Sequence, residues 1–304
     1  MLTEANKVVV REVCIENKRG VGTLKMKDNK VLRNVIIFSL VALSCGWIGR
    51  LVDLQAGTDE NGSLGQLIWI VSPLLTMVIM RSWMGDGWED FGIKPRVKGN
   101  AFLYIISLLL FPFMTMVIVG ISSSLGWMDV SPLSFQYLTA VGIALVPSLI
   151  KNIFEEFAWR GYLAPKLYTL GYNRFIVHIA VGFIWGMWHF PYLFLFVDTT
   201  ESMITYIPRM MLGVIVMAVL YGEILLMTRS VWPAVFMHAT GNAFIDTLIL
   251  KKFVLVQAEF SYLAMPSPEG IISIILTALA GLWMYKRRKR TKHRQGPPGF
   301  PIKG

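Results

Sequence analysis

Three polar fragments inside apolar stretches carry the groups in this chain that are best suited to chemistry. They are Glu155-Glu156-x-x-x-Arg160, His189 and His238-x-x-x-Asn242. Ionisable side chains are destabilising inside a bilayer, so they usually face a cavity or one another and mark a functional site. Two carboxylates, an arginine, two histidines and an amide can together activate water and stabilise an oxyanion. These residue types predict a hydrolase built inside the membrane.

The two adjacent glutamates are expected to have different roles. Residues four apart share a helix face, so Glu156 and Arg160 should form an ion pair. Glu155 points about 100° away from Glu156 and need not be neutralised by the same arginine. A carboxylate in a poorly hydrated cavity is a better general base, so Glu155 is the predicted base. The alternative is a solvated, charged helix end at the membrane boundary, and these charges alone do not decide between the two.

Two of the histidines, together with Asn242, are candidate site residues. His189 lies well inside an apolar run, so solvation does not explain it. His238 and Asn242 are four apart, share a helix face, and can both donate hydrogen bonds to one small target. For each of these residues the alternative is a polar contact between packed helices. His178 and Glu223 are interpreted as packing or structural residues.

The composition favours a membrane protein and excludes an ordinary soluble domain. Of the 304 residues, 55% are hydrophobic and 16% are charged, against about 25% charged in a typical soluble domain. The formal net charge is +10. The basic residues lie at both ends and between apolar runs, which is typical of cytoplasmic loops, so no nucleic-acid partner is expected. The two cysteines, Cys14 and Cys45, have neither metal-ligand spacing nor a disulfide framework.

The apolar runs predict an all-α polytopic membrane protein with about eight transmembrane helices around a polar cavity. The spans lie near 33–52, 64–83, 100–125, 135–154, 175–197, 203–227, 231–250 and 270–285. The fourth is expected to continue as a helix through Arg160. The predicted domains are a cytoplasmic segment 1–30, a transmembrane domain 31–285 and a basic, disordered cytoplasmic tail 286–304.

Loop charge predicts the orientation. Basic residues cluster before the first span, after the second span and in the run Lys286–Arg290, whereas the first loop carries Asp53, Asp59 and Glu60. Because positive residues stay on the cytoplasmic side, both termini should lie inside a cell membrane that the chain crosses several times. Two termini on the same side of the membrane require an even number of spans, which agrees with the predicted count of eight. The site is expected to open toward the cytoplasm.

In its ordered motifs the chain resembles the CPBP family of intramembrane proteases. This family is also called the CAAX protease or Abi family, and it includes the eukaryotic Ras-converting CAAX endopeptidase. The matching residues are Glu155-Glu156-x-x-x-Arg160, His189 about thirty residues later, and His238-x-x-x-Asn242. The resemblance covers roughly residues 135–250 and rests on the ordered set, because each motif alone is weak. The chain departs from the family's second motif, Phe-x-x-x-His, by carrying Trp185 in the aromatic position.

The resemblance implies a glutamate-dependent intramembrane endopeptidase. In it Glu155 activates water and His189 helps to orient that water. His238 and Asn242 hold the developing oxyanion, while Arg160 braces Glu156. The implied partners are a peptide or protein substrate, which can be membrane-associated, and the lipid bilayer.

Metal dependence and function class are left open by the sequence. Family members are commonly called metalloproteases, and a divalent metal such as zinc would have four candidate ligands: Glu155, Glu156, His189 and His238. Water activated by the glutamate without a metal needs the same residues. Two other classes fit a polar membrane cavity. One is a transporter, and the other is a catalytically silent membrane scaffold or immunity protein.

Overall fold

The computed structural model describes residues 4–58, 62–196 and 201–292, with side chains over 29–58, 62–193 and 201–288. It is 78% helical, so the predicted all-α polytopic class is confirmed. The helices are α1 Glu4–Ala56, α2 Leu64–Ser82, α3 Ala101–Ser124, α4 Gln136–Ala158, α5 Ala164–Thr169, α6 Arg174–Trp188, α7 Phe190–Phe196, α8 Met203–Thr228, α9 Trp232–Leu250, α10 Ser261–Ala264 and α11 Ile271–Lys292.

Short irregular elements complete the chain. A π-helical turn, Trp159–Leu163, joins α4 to α5. Strand β1 (Met128–Asp129) pairs antiparallel with β2 (Leu255–Val256), which connects the loops after α3 and α9. A 3-10 turn at Ala258–Phe260 precedes α10.

Five helical segments in the described part of the chain are long and apolar enough to cross a membrane. They are Asn29–Ala56, Leu64–Ser82, Ala101–Ser124, Gln136–Thr169 and Met203–Thr228. The helix Arg174–Trp188 is apolar but shorter. The predicted count of eight therefore stays a prediction. The expected continuation of the fourth span through Arg160 is present, because the π turn joins α4 and α5 into one segment.

The first predicted loop differs from the structure. Helix α1 continues to Ala56, so Asp53 is helical and not a loop charge. Asp53 is only 2% exposed, and it accepts hydrogen bonds from Ser63 Oγ (2.8 Å), the Gly65 backbone N–H (2.8 Å) and Tyr192 Oη (2.9 Å). A carboxylate with three donors is stable when buried, which sequence position alone did not reveal. The other two loop acids, Asp59 and Glu60, lie outside the described residues.

The fifth predicted span, 175–197, is two helices. Helix α6 ends at Trp188, His189 forms its C-terminal cap, and α7 begins at Phe190. The physical reason is Pro191, which has no backbone N–H to donate and whose ring clashes with the preceding turn of a continuous helix. His189 therefore lies at a helix junction and not in mid-span.

The C-terminal basic run is also helical. Helix α11 extends through Lys292, so the predicted disordered tail 286–304 is ordered helix over its first residues. Arg288 in this run is 6% exposed, and Arg174 lies 3.6 Å from the centre of the Tyr285 ring. Contacts between the end of α11 and the bundle therefore hold this segment. The rest of the predicted tail, from residue 293, lies outside the described residues.

Close helix packing brings the polar fragments together. Helix α9 packs against α3 and α4, and α8 packs against α6 and α11. At Gly182 on α6, a Cβ atom would lie 2.7 Å from the Cα of Ile215 on α8, so a larger residue would force the helices apart. Small residues at such crossings let membrane helices approach closely.

A buried arginine anchors the π turn. Arg81 at the end of α2 donates hydrogen bonds to the carbonyl oxygens of Gly87 and Gly161 and pairs with Asp90 Oδ1 at 2.7 Å. A Cβ at Gly161 would collide with the Phe91 ring, so this turn favours glycine there. Single π turns inside helices are frequent at functional sites. This one carries Arg160.

Candidate active site

Glu155 is a buried carboxylate with one held and one free oxygen. Its Oε2 accepts a hydrogen bond of 3.0 Å from Trp185 Nε1 on α6. Its Oε1 is buried and has no hydrogen-bond partner among the described residues. The Lys151 ammonium lies 3.8 Å from Oε1, and the Lys151 side chain is 40% exposed. Oε1 is therefore the oxygen of Glu155 that makes no hydrogen bond among the described residues.

Glu156 is engaged on its Oε1 by two partners. Arg160 Nη1 lies 3.1 Å from this oxygen, which is the predicted ion pair one helical turn along. His238 Nδ1 on α9 lies 2.9 Å from the same oxygen. Glu156 and Arg160 are at most 1% exposed. This arrangement holds the second glutamate as a structural anchor for His238.

His189 is oriented through its own helix. Its Nδ1 lies 2.8 Å from the Trp185 carbonyl oxygen, and because a carbonyl can only accept, Nδ1 must carry the proton. The neutral ring therefore presents the Nε2 lone pair. No hydrogen bond in the described structure joins His189 directly to Glu155, His238 or Asn242.

Trp185 is the residue on which the predicted site converges. Its indole N–H donates a hydrogen bond to Glu155, and the centre of the indole ring lies 4.3 Å from the Arg160 guanidinium. The His238 ring centre is 5.3 Å away and the His189 ring centre is 5.9 Å away. Helix packing thus gathers Glu155, Arg160 and His238 around one buried indole, with His189 one turn further along α6.

Asn242 lies one turn beyond His238 on the same face of α9, as predicted. Its Nδ2 lies 3.4 Å from Asn152 Oδ1 on α4. Asn152 is fully buried, and its own Nδ2 donates to the Ser148 carbonyl oxygen at 2.7 Å. Asn152 therefore orients Asn242. Asn152 was not among the predicted site residues. Its position in an apolar span, three residues before Glu155, was the signal that could have identified it.

A partly open cavity of about 50 Å³ adjoins this face of α9. His238, Asn242 and Asp246 line it at successive helical turns, together with Tyr221 from α8 and Phe111 from α3. Glu155 and His189 are not among its lining residues. Asp246 is exposed and makes no hydrogen bond or ion pair with any described side chain.

The loop that precedes α11 also lines the cavity. It contributes Pro266, Ser267 and Pro268. This loop comes directly before α11, and the basic run lies at the other end of the same helix. The opening of the site toward the cytoplasm stays a prediction.

His178 and Glu223 form a separate buried cluster. His178 Nε2 lies 3.1 Å from Glu223 Oε1, and Arg174 Nη1 lies 3.3 Å from Glu223 Oε2. The Tyr168 hydroxyl lies 3.4 Å from His178 Nδ1. Glu223 thus has basic partners, in line with its structural interpretation, and the cluster ties α5 and α6 to α8.

The residues considered as zinc ligands do not form a suitable metal site. Among residues whose side chains the structure describes, no group of three or more His, Cys, Asp or Glu is arranged to hold a metal ion. Glu156 Oε1 and His238 Nδ1 bond each other, so these two atoms are not available as ligands. Catalytic zinc usually takes three protein ligands and a water. The four candidate residues in this arrangement do not fit that requirement.

Comparison with known proteins supports the predicted resemblance. Residues 137–244 match the family model described as "Type II CAAX prenyl endopeptidase Rce1-like". A curated relative, CAAX prenyl protease 2 of Methanococcus maripaludis, is 37% identical over 60 residues, which cover 20% of this chain and 22% of that protein. The match thus spans about a fifth of that relative. Together these findings confirm the resemblance to the CAAX protease family, and the family match contains every predicted site residue.

Proposed function

We propose that this protein is an intramembrane endopeptidase of the CAAX protease type, which hydrolyses a peptide bond with water activated by Glu155. The observation that carries this proposal is the state of the Glu155 carboxylate. Oε2 is held by an indole, while the buried Oε1 makes no hydrogen bond with any described residue. An oriented carboxylate with a free oxygen is the arrangement that a general base requires.

The proposed reaction begins with proton transfer to Glu155. Oε1 takes one proton from a water molecule as the water oxygen bonds to the carbonyl carbon of the substrate. The carbonyl π electrons move to oxygen and form a tetrahedral oxyanion. The carbon–nitrogen bond then breaks, the oxyanion reforms a carbonyl, and the Glu155 carboxyl returns its proton to the departing amine. His189 Nε2 can accept a hydrogen bond from the same water and so orient it.

His238 would donate a hydrogen bond to the oxyanion from Nε2. This requires one proton on Nε2 and a second proton in the contact between His238 Nδ1 and Glu156 Oε1, which lie 2.9 Å apart. Whichever of these two atoms carries the second proton, Glu156 holds the ring and leaves the Nε2 N–H for the substrate.

Asn242 would supply the second oxyanion donor. An amide nitrogen has two hydrogens, and Asn152 takes one of them at 3.4 Å. The second hydrogen remains for the substrate, on the cavity face that His238 shares. Two donors from adjacent turns of α9 can converge on one oxygen atom.

The substrate class follows from the setting. We take the substrate to be a peptide or protein held at the membrane, because the proposed base and oxyanion residues lie in apolar helices. The curated relative is named CAAX prenyl protease 2, and a lipid-modified C-terminal peptide is therefore the first substrate to test. The proposed location is a cell membrane, with both termini on the cytoplasmic side.

Fragment proteomics tests the proposal and does not require an identified substrate. Membrane-protein fragments would be compared between cells that carry the wild-type chain and cells that carry Glu155→Ala. Fragments present only with the wild-type chain are expected. A transporter or a silent scaffold would give identical fragment sets, and that result would overturn the proposal.

A further inference from the structure

Trp185 bonds two proposed site residues at once. Its indole Nε1 donates to Glu155 Oε2 at 3.0 Å, and its backbone carbonyl accepts from His189 Nδ1 at 2.8 Å. Trp185 is 1% exposed, and its hydrogen bond to Glu155 is buried. Hydrogen bonds to a charged acceptor in such surroundings are stronger than those between neutral groups.

We propose that the Trp185 indole N–H is a positioning group that orients the Glu155 carboxylate and selects Oε1 as its basic oxygen. This inference rests on the proposed function. It goes beyond the family motif, because the phenylalanine usual at this position has no hydrogen-bond donor.

The surroundings leave Trp185 as the main restraint on Glu155. Among the described residues, no other group donates a hydrogen bond to this carboxylate. Lys151 is 3.8 Å away on a flexible, 40% exposed side chain, which makes it a weak orienting group. Without the indole donor, the carboxylate could rotate about its terminal torsion, which has a broad energy minimum.

The Trp185 ring is itself held in place. It lies 4.3 Å from the Arg160 guanidinium, an attractive cation–π arrangement. Arg160 is fixed in turn by its ion pair with Glu156. A chain of contacts therefore runs from the second glutamate through Arg160 and Trp185 to the first glutamate. Glu156 thus helps to orient Glu155 through Arg160 and Trp185.

The first experiment removes the donor and keeps the ring shape. The Trp185 indole would be replaced by benzothiophene, which has sulfur in place of N–H, and Trp185→Phe would be measured alongside. The probe is an internally quenched, farnesylated CAAX peptide or a substrate from the fragment proteomics. We expect kcat to fall about 10- to 100-fold with KM unchanged, the range for a hydrogen bond to a charged group. If Trp185 only packs, its replacement should lower the stability of the protein without this selective fall in kcat, and that result would overturn the inference.

Trp159 provides a matched control. It is fully buried, and its Nε1 has no hydrogen-bond partner among the described residues. The same benzothiophene replacement at Trp159 should leave kcat within about twofold of wild type, since it removes no hydrogen bond. Equal losses at Trp185 and Trp159 would overturn the inference.

A second experiment needs no substrate. Ultraviolet resonance Raman spectra report hydrogen bonding of indole N–H groups, and the Trp185 signal is the one lost in Trp185→Phe. In Glu155→Ala this signal should move to the position of an unbonded indole. An unchanged signal would overturn the inference. Fragment sets unaffected by Glu155→Ala, with a shifted indole signal, would instead overturn the proposed function alone.

Discussion

His238 Nδ1 lies 2.9 Å from Glu156 Oε1, which joins α9 to α4 across 82 residues of sequence. The same oxygen accepts from Arg160 at 3.1 Å. Glu156 therefore holds the proposed oxyanion histidine in place and pairs with the Arg160 guanidinium. The neighbouring Glu155 bonds neither Arg160 nor His238. Two adjacent residues of the same type therefore have different surroundings, which fits different roles for them.

The two glutamates should differ sharply when each is changed to glutamine. Glu155→Gln keeps the acceptor for Trp185 but cannot take a proton, so cleavage should fall by roughly 10²–10⁴-fold with unchanged thermal stability. Glu156→Gln should instead lower the unfolding temperature, because it leaves the buried Arg160 charge unpaired at a cost of about 3–5 kcal/mol. Cleavage rates and melting curves of purified protein measure both effects. A near wild-type rate for Glu155→Gln would contradict its assignment as the base.

The oxyanion pair should behave as one unit. His238→Ala and Asn242→Ala are each expected to lower kcat by roughly 10²–10³-fold, the usual loss for one oxyanion donor. The double variant should lose less than the product of the single losses, because the two donors serve one oxygen. Steady-state kinetics of all three variants give the answer. Strictly multiplicative losses would indicate that one residue serves catalysis and the other packing.

Changes at Asn152 should have a smaller effect on kcat than changes at Asn242. Asn152→Ala removes the acceptor of the Asn242 amide, so kcat should fall less than it does for Asn242→Ala itself. The matched comparison is Asn152→Asp, which retains an acceptor oxygen and should preserve more of the rate. An Asn152→Ala loss as large as that of Asn242→Ala would show that Asn152 does more than orient its neighbour.

Chelators should not reduce the activity. The described site has no group of three suitable ligands, and Glu156 and His238 already bond each other. Incubation with EDTA or 1,10-phenanthroline, followed by a cleavage assay, should leave the rate within about twofold, as expected for water activated by a carboxylate alone. A loss of activity that added zinc restores would contradict this prediction and favour a metal-dependent site.

Labelling of single cysteines tests the predicted orientation. In a Cys14→Ser background, with Cys45 buried at 3% exposure, a cysteine at the exposed position Ser202 should react with an impermeant thiol reagent on intact cells. A cysteine at Gln295, beyond the described residues, should react only after lysis, because Lys286–Arg290 favours the cytoplasmic side. The reverse pattern would place both termini outside.

Relations within one helix and the composition of each segment could be predicted from the sequence alone. Apolar runs of about 20 residues give spans, and the fixed 1.5 Å rise puts Glu156 near Arg160 and His238 near Asn242. These local relations follow from backbone geometry and hold wherever the helix sits. The order of the motifs also sufficed to predict the family resemblance. Pro191 was also a signal for the break at His189, because proline removes one backbone hydrogen bond and weakens a helix at that point.

Contacts between helices could not be predicted from the sequence and are known only from the folded structure. The bonds Trp185–Glu155, His238–Glu156 and Asn242–Asn152 each cross from one helix to another. Whether such pairs meet depends on the rotation and tilt of each helix, which packing at places such as Gly182 fixes and a single sequence does not encode locally. The same holds for buried Asp53, whose hydrogen-bond partner Tyr192 is 139 residues away, and for the cavity, which is lined by α3, α8, α9 and the loop before α11.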